Sequence, residues 1–62
     1  MKIKHQTYKG FGITLVHGVE YRAKAYANPS FIGRNLAKIK RAINQYLRDE
    51  AYTDVHETYH IK

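Results

Sequence analysis

Residues 35–49 are the stretch that most restricts how this chain can fold. Apolar side chains recur there every three or four positions, at Leu36, Ile39, Ile43 and Leu47. This spacing predicts an amphipathic α-helix. Asn35 precedes the stripe and is the predicted N-cap, because its side chain can accept a hydrogen bond from the first helical turn. A start at Ser30 is the alternative, but Gly33 and Asn35 favour the later one. A lone helix of this length is marginal in water, so it needs an apolar surface to pack on.

Three upstream segments can supply that surface. They are rich in strand-forming residues that alternate in polarity, and they cover residues 2–8, 11–16 and 20–27. The short connections, Lys9-Gly10 and His17-Gly18, are typical of turns in an antiparallel meander. Pro29 cannot donate a ladder hydrogen bond, so the sequence Asn-Pro-Ser predicts the end of the third strand. Residues 31–34 are expected to lead into the helix.

The two-residue period of a strand divides these segments between two sides of a sheet. The side expected to receive the helix consists of Ile3, Phe11, Ile13, Leu15, Tyr21, Ala23 and Ala25. The predicted fold is therefore α+β: a three-stranded antiparallel β-meander packed on one α-helix, in the order β-β-β-α. One layer of helix on one layer of sheet is the smallest standard solution of this class. We expect a single domain over residues 1–50.

Residues 51–62 form an acidic, histidine-containing tail with an ambiguous pattern. Val55, Tyr59 and Ile61 share one parity, as in a fourth strand. His56 and His60 would also share one face of a helix, although Thr and Val are poor helix formers. We expect an extended tail or a fourth strand.

Charge is distributed unevenly along the 62 residues, whose net charge is +6. Residues 1–48 contain ten Lys and Arg but one acid, Glu20, whereas residues 49–62 contain four acids and one Lys. Such a basic body suits a polyanion or an acidic protein surface, although excess charge can also serve solubility alone. The absence of cysteine fits a cytoplasmic protein. No apolar run is long enough to span a bilayer, so we expect no membrane association.

The solvent side of the predicted sheet is the first candidate binding surface. Alternation assigns to it Lys2, Lys4, Gln6, Tyr8, Thr14, Arg22, Lys24 and Tyr26. Lys and Arg suit phosphates, and Tyr and Gln can contact sugars or base edges. A three-stranded sheet could enter a major groove, or the tyrosines could stack on unpaired bases. The alternative interpretation is an ordinary solvated sheet face.

The polar side of the helix is the second candidate. It has a basic stripe at intervals of three or four residues: Arg34, Lys38, Arg41, Gln45 and Arg48. This stripe could reinforce a grip on phosphates or could simply be solvated. The full set of predicted nucleic-acid-binding residues is Lys2, Lys4, Gln6, Arg22, Lys24, Tyr26, Arg41 and Arg48.

His56-Glu57-Thr58-Tyr59-His60 matches the H-E-x-x-H pattern of zinc proteases. The pattern requires a helix that brings both imidazoles to one face, a third ligand and a substrate cleft. This segment is a poor helix former, only two residues follow it, and so short a chain lacks the walls of a cleft. We therefore predict no enzyme activity, no metal site and no cofactor.

Two segments resemble a known group of proteins. They are Tyr8-Lys9-Gly10-Phe11-x-Ile13 and Leu36-x-x-Ile39-Lys40-x-x-Ile43-x-x-Tyr46-Leu47. Together with the alanine-rich strand between them, they resemble small bacterial and phage proteins of β-β-β-α layout over residues 8–48. The layout is also similar to the arm-DNA-binding domains of phage integrases, although topology alone does not transfer function.

Two functional hypotheses follow. The first is a small basic nucleic-acid-binding module, for DNA above all, that uses the exposed sheet face. The second, which the phage resemblance implies, is a protein-interaction module that binds or inhibits a host protein. That module could be a homodimer formed through exposed strand edges.

Overall fold

The computed structural model describes residues 5–62, so the predictions for Lys2, Ile3 and Lys4 lie outside the described residues. The elements are β1 (His5–Tyr8), β2 (Phe11–Val16), β3 (Glu20–Lys24), β4 (Ser30–Gly33), α1 (Leu36–Leu47) and β5 (Thr58–Ile61). The predicted α+β class, with an antiparallel-rich sheet and one helix, is confirmed. The predicted number of strands is wrong, because the described chain has five strands rather than three.

The five strands form one sheet in the order β1-β2-β3-β4-β5. Each neighbouring pair from β1 to β4 is antiparallel, whereas β4 and β5 are parallel. A parallel pair cannot be joined by a tight turn and needs a crossover connection. The α1 helix supplies that crossover, so it packs on one side of the sheet and leaves the other side uncovered.

The segment expected to lead into the helix is in fact β4. Phe31 pairs with Ala23 of β3 on one side and with Tyr59 of β5 on the other. The run is only four residues long, so alternation could not distinguish it from a linker. Its predecessor β3 ends at Lys24 rather than at Ala27, which has a φ of +60° and cannot continue a strand.

The strand alternative for the tail is the one observed. Tyr59 and Ile61 of β5 face the core, and His60 alternates to the uncovered side beside Ile32. The H-E-x-x-H pattern therefore runs from a loop into a strand. The helix that would bring His56 and His60 to one face is therefore not formed there.

The core lies between α1 and the middle of the sheet. Its fully buried apolar residues are Phe11, Ile13, Ala23, Phe31, Ile39, Ala42 and Ile43. The predicted helix stripe is confirmed at Ile39 and Ile43, but Leu47 is 48% exposed because the helix ends there. In residues 5–62, no helix has the length and apolar character needed to cross a membrane.

The assignment of β1 side chains to the two sides of the sheet was wrong by one residue. Gln6 lies opposite Ile13, and Tyr8 lies opposite Phe11, so both are on the helix side. His5 and Thr7 instead occupy the uncovered side, where His5 Nδ1 lies 3.1 Å from Thr14 Oγ1. A slip of one residue moves every side chain of a strand to the other face. The observed orientation of β1 is stabilised by Tyr8, because its ring packs against the core and its hydroxyl donates to Asn44 Oδ1 at 3.2 Å.

The predicted N-cap is confirmed, since Asn35 Oδ1 accepts a hydrogen bond from Lys38 N at 3.2 Å. We expect Asn35→Ala to lower the free energy of unfolding by about 1 kcal/mol, because the first turn loses its capping acceptor. Asn35→Ser is the control that keeps an acceptor and should stay close to wild type. Urea denaturation of the three proteins measures the difference, and equal losses for both variants would contradict a capping role.

Candidate nucleic-acid interface

The predicted binding residues are divided between the two sides of the sheet. Arg22 and Lys24 project from the uncovered side, because they pair with Thr14 and Gly12 there. Arg41 lies on the exposed side of α1, beyond the opposite face of the sheet. The sheet cations and Arg41 therefore do not share one surface.

The uncovered side of the sheet carries mainly polar side chains in cross-strand rows. One row crosses all five strands through His5, Thr14, Arg22, Ile32 and His60. Within the described strands no Phe or Tyr lies on this side, because Tyr8, Tyr21 and Tyr59 are paired with residues of the helix side. This surface therefore offers hydroxyls and cations but no tyrosine for stacking bases.

The width of the sheet also argues against the predicted docking mode. Strand axes lie roughly 4.8 Å apart, so five strands span about 19 Å. A B-DNA major groove is only about 12 Å wide. Three strands could enter such a groove flat, but a five-stranded face is too broad to do so.

The charges of the uncovered side are few and partly neutralised. Arg22 Nε lies 2.9 Å from Glu20 Oε2. The Lys24 side chain has no hydrogen-bond or ion-pair partner among residues 5–62. Tyr26 is 99% exposed, but it lies in the turn after β3 and not in the strand. Of the predicted sheet contacts that the structure describes, Lys24 is therefore the strongest remaining candidate.

A more continuous basic surface extends from the ends of β4 and β5 to the exposed side of α1. Two open depressions, of about 480 and 260 Å³, share Lys38, Ile61 and Lys62. The larger one lies where β4 and β5 end and α1 begins, and Arg34 and His60 line it. The smaller one runs between α1 and β5, lined by Arg41, Gln45 and Tyr52 among others. We call this surface the basic groove, defined by its cations Arg34, Lys38, Arg41 and Lys62 and by the side chains of His60, Gln45 and Tyr52.

The electrostatics of the basic groove are nearly uniform in sign. Among its described lining residues Glu20 is the one acid; it lies in the larger depression and is paired with Arg22. The sequence of α1 contains no acidic residue. Lys38 Nζ donates to the Lys62 carbonyl oxygen at 3.1 Å and thereby joins the helix to the strand across the groove.

Arg48, a predicted contact, is not part of the groove. It caps the C-terminal end of α1, where its Nε donates to the Asn44 carbonyl oxygen at 3.4 Å. Its guanidinium also lies 3.7 Å from Glu50. Both side chains of this pair are largely exposed, so the ion pair contributes little stability, but it reduces the charge available to a ligand.

Sequence reasoning found part of the groove and missed the rest. The helical spacing identified Arg34, Lys38, Arg41 and Gln45 as one stripe. His60, Lys62 and Tyr52 were missed because their positions depend on the parallel pairing of β5 with β4, which no local pattern encodes. The one available signal was the shared parity of Tyr59 and Ile61, which pointed to a strand but not to its neighbour.

The structure gives no support for a metal centre in the described residues. No group of three His, Cys, Asp or Glu side chains in residues 5–62 is placed to hold a metal ion. His56 lies in the turn before β5, and both His56 and His60 are exposed.

No family model, curated protein or solved structure matches this chain. The resemblance to β-β-β-α proteins of phages and bacteria therefore stays a prediction.

Proposed function

We propose that this protein is a small DNA-binding module that holds the sugar-phosphate backbone in the basic groove. The observation that carries the proposal is the set of cations Arg34, Lys38, Arg41 and Lys62 along one groove, whose one described acid, Glu20, is paired with Arg22. This modifies the sequence-based hypothesis, which placed the contacts on the uncovered sheet face.

The physical basis is the release of counterions from the nucleic acid. Lys and Arg side chains that neutralise phosphates displace condensed cations, so binding weakens steeply as salt rises. Contacts of this kind fix the position of the backbone and carry no direct sequence information. We therefore expect affinity that depends on salt far more than on base sequence.

The test is a salt titration of duplex DNA binding by fluorescence anisotropy. Lys38→Ala combined with Arg41→Ala should reduce the slope of log affinity against log salt by about two, since each phosphate contact contributes roughly 0.9. Both side chains are exposed, so the fold should survive.

The matched control is Arg22→Ala combined with Lys24→Ala. It also removes two positive charges, but from the uncovered side of the sheet. This control should change the slope far less than the groove variant. Equal effects of the two double variants would mean that net charge alone drives binding and would contradict the groove. A larger effect of the control would return the site to the sheet face.

Open strand edges support a second candidate, a protein-interaction module. Within the described chain β1 and β5 each pair on one side only. Such edges can accept a strand from a partner or from a second copy. If duplex binding is weak and neither double variant changes it, the DNA proposal is contradicted and this candidate is favoured.

A further inference from the structure

Among the residues that define the basic groove, Tyr52 is the one with an unusual backbone conformation. Its φ is +59°, in the left-handed region that bulky residues rarely occupy. Such a conformation persists only when the surroundings enforce it, and it is often associated with a functional site. The enforcing contacts are aromatic: the Tyr52 ring lies 5.5 Å from that of Phe31 and 4.8 Å from that of Tyr59, edge-to-face in both cases.

These contacts hold a half-buried aromatic ring beside the cations of the groove. The smaller depression, of about 260 Å³, is lined by Tyr52 together with Lys38, Arg41, Gln45 and Lys62. Its size is just below that of pockets for drug-sized ligands, which suits a fragment such as one nucleobase. Gln45 is half-buried there and makes no side-chain hydrogen bond among the described residues, so its amide can both donate to and accept from a base edge.

The geometry points to a site for one unpaired nucleobase, and we propose that the basic groove prefers single-stranded over duplex nucleic acid. The base would lie against Tyr52, its edge would contact Gln45, and Lys38, Arg41 and Lys62 would hold the flanking phosphates. A paired base is stacked within its helix and cannot enter the depression. Sequence-tolerant binding of single strands commonly combines such an aromatic platform with a cationic track. This inference rests on the proposed function and specifies its substrate.

The first experiment compares an oligothymidine with a duplex of equal length at one salt concentration. Wild type should bind the single strand more tightly. Tyr52→Leu should weaken single-strand binding by about fivefold or more, the usual effect of losing one stacked base, and should weaken duplex binding much less. Tyr52→Phe keeps the ring and should behave as wild type.

A second measurement uses the unmodified protein, in case Tyr52→Leu does not fold. An oligonucleotide with one 5-iodouracil should crosslink to Tyr52 on irradiation, as mapped by mass spectrometry of the digested protein. A crosslink confined to other residues would overturn the base site, as would equal affinities for the single strand and the duplex. If the base site is overturned but duplex binding still depends on Lys38 and Arg41, the proposed function is supported without it. No salt-sensitive binding to either form would contradict both.

Discussion

Replacing Phe31 with Ala should leave the protein largely unfolded near room temperature. Phe31 has no exposed surface, and its ring lies within 6.5 Å of four others, those of Phe11, Tyr46, Tyr52 and Tyr59. Truncating a buried Phe costs about 3–5 kcal/mol through lost transfer energy and the cavity left behind. A domain of 62 residues has a total stability of only about 3–9 kcal/mol, so this one change can exhaust most of it.

Circular dichroism during thermal and urea denaturation measures the loss. The control is Tyr26→Ala, which removes an aromatic side chain that is 99% exposed and should change stability by less than about 0.5 kcal/mol. A Phe31→Ala protein that unfolds with the wild-type midpoint would contradict the position of Phe31 at the centre of the core.

Gly33→Ala should separate β5 from the sheet. A Cβ atom at Gly33 would lie 2.6 Å from the Ile61 carbonyl oxygen and 3.2 Å from Ile39 Cδ1. The nearest atom belongs to the backbone, so it cannot move aside as the end of a side chain can. Overpacking of this kind costs about 1–3 kcal/mol. The strain can be relieved by release of β5, so faster hydrogen exchange at residues 58–61 is the expected result.

The same substitution tests the link between fold and binding. Lys62 and Tyr52 line the basic groove on its β5 side, so loosening this strand should also weaken DNA binding. Gly12→Ala is the matched control, because its closest Cβ contact would be the His5 ring at 3.3 Å, a side chain that can move, and the nearest backbone atom, the Lys24 carbonyl oxygen, would lie at an ordinary 3.8 Å. If the β5 amides of the Gly33→Ala protein exchange as slowly as those of wild type, the close approach of β4 and β5 is contradicted.

The uncovered side of the sheet and the basic groove differ in what they can offer a ligand. The uncovered side is broad, and its Arg22 is paired with Glu20. The basic groove is narrower, and it combines cations with an aromatic ring and an amide. The basic groove is therefore better suited than the sheet face to a nucleic-acid backbone.

Predictions from the sequence were correct where the local structure depends on one capping residue or on the two-residue alternation of a strand. Asn35 caps the helix because its short side chain reaches the first-turn N–H groups. The strands β2 and β3 were predicted from alternation, and their core residues Phe11, Ile13 and Ala23 are buried as expected. The prediction of which side chains face the helix was wrong in β1. Tyr8 packs inward there, and Gln6, two residues away, lies on the same side of the strand.

The sequence by itself therefore determined the α+β class, the helix with its cap, the antiparallel meander and the basic character of the helix surface. Those features depend on side-chain period, capping and charge, which act over a few neighbouring residues. Only the tertiary structure decided that Phe31 forms a fourth strand and that the tail adds a fifth, parallel to it. Parallel pairing depends on contacts between residues 28 positions apart, such as Phe31 with Tyr59. It places Tyr52 and Lys62 beside the helix cations, so the basic groove exists only in the folded chain.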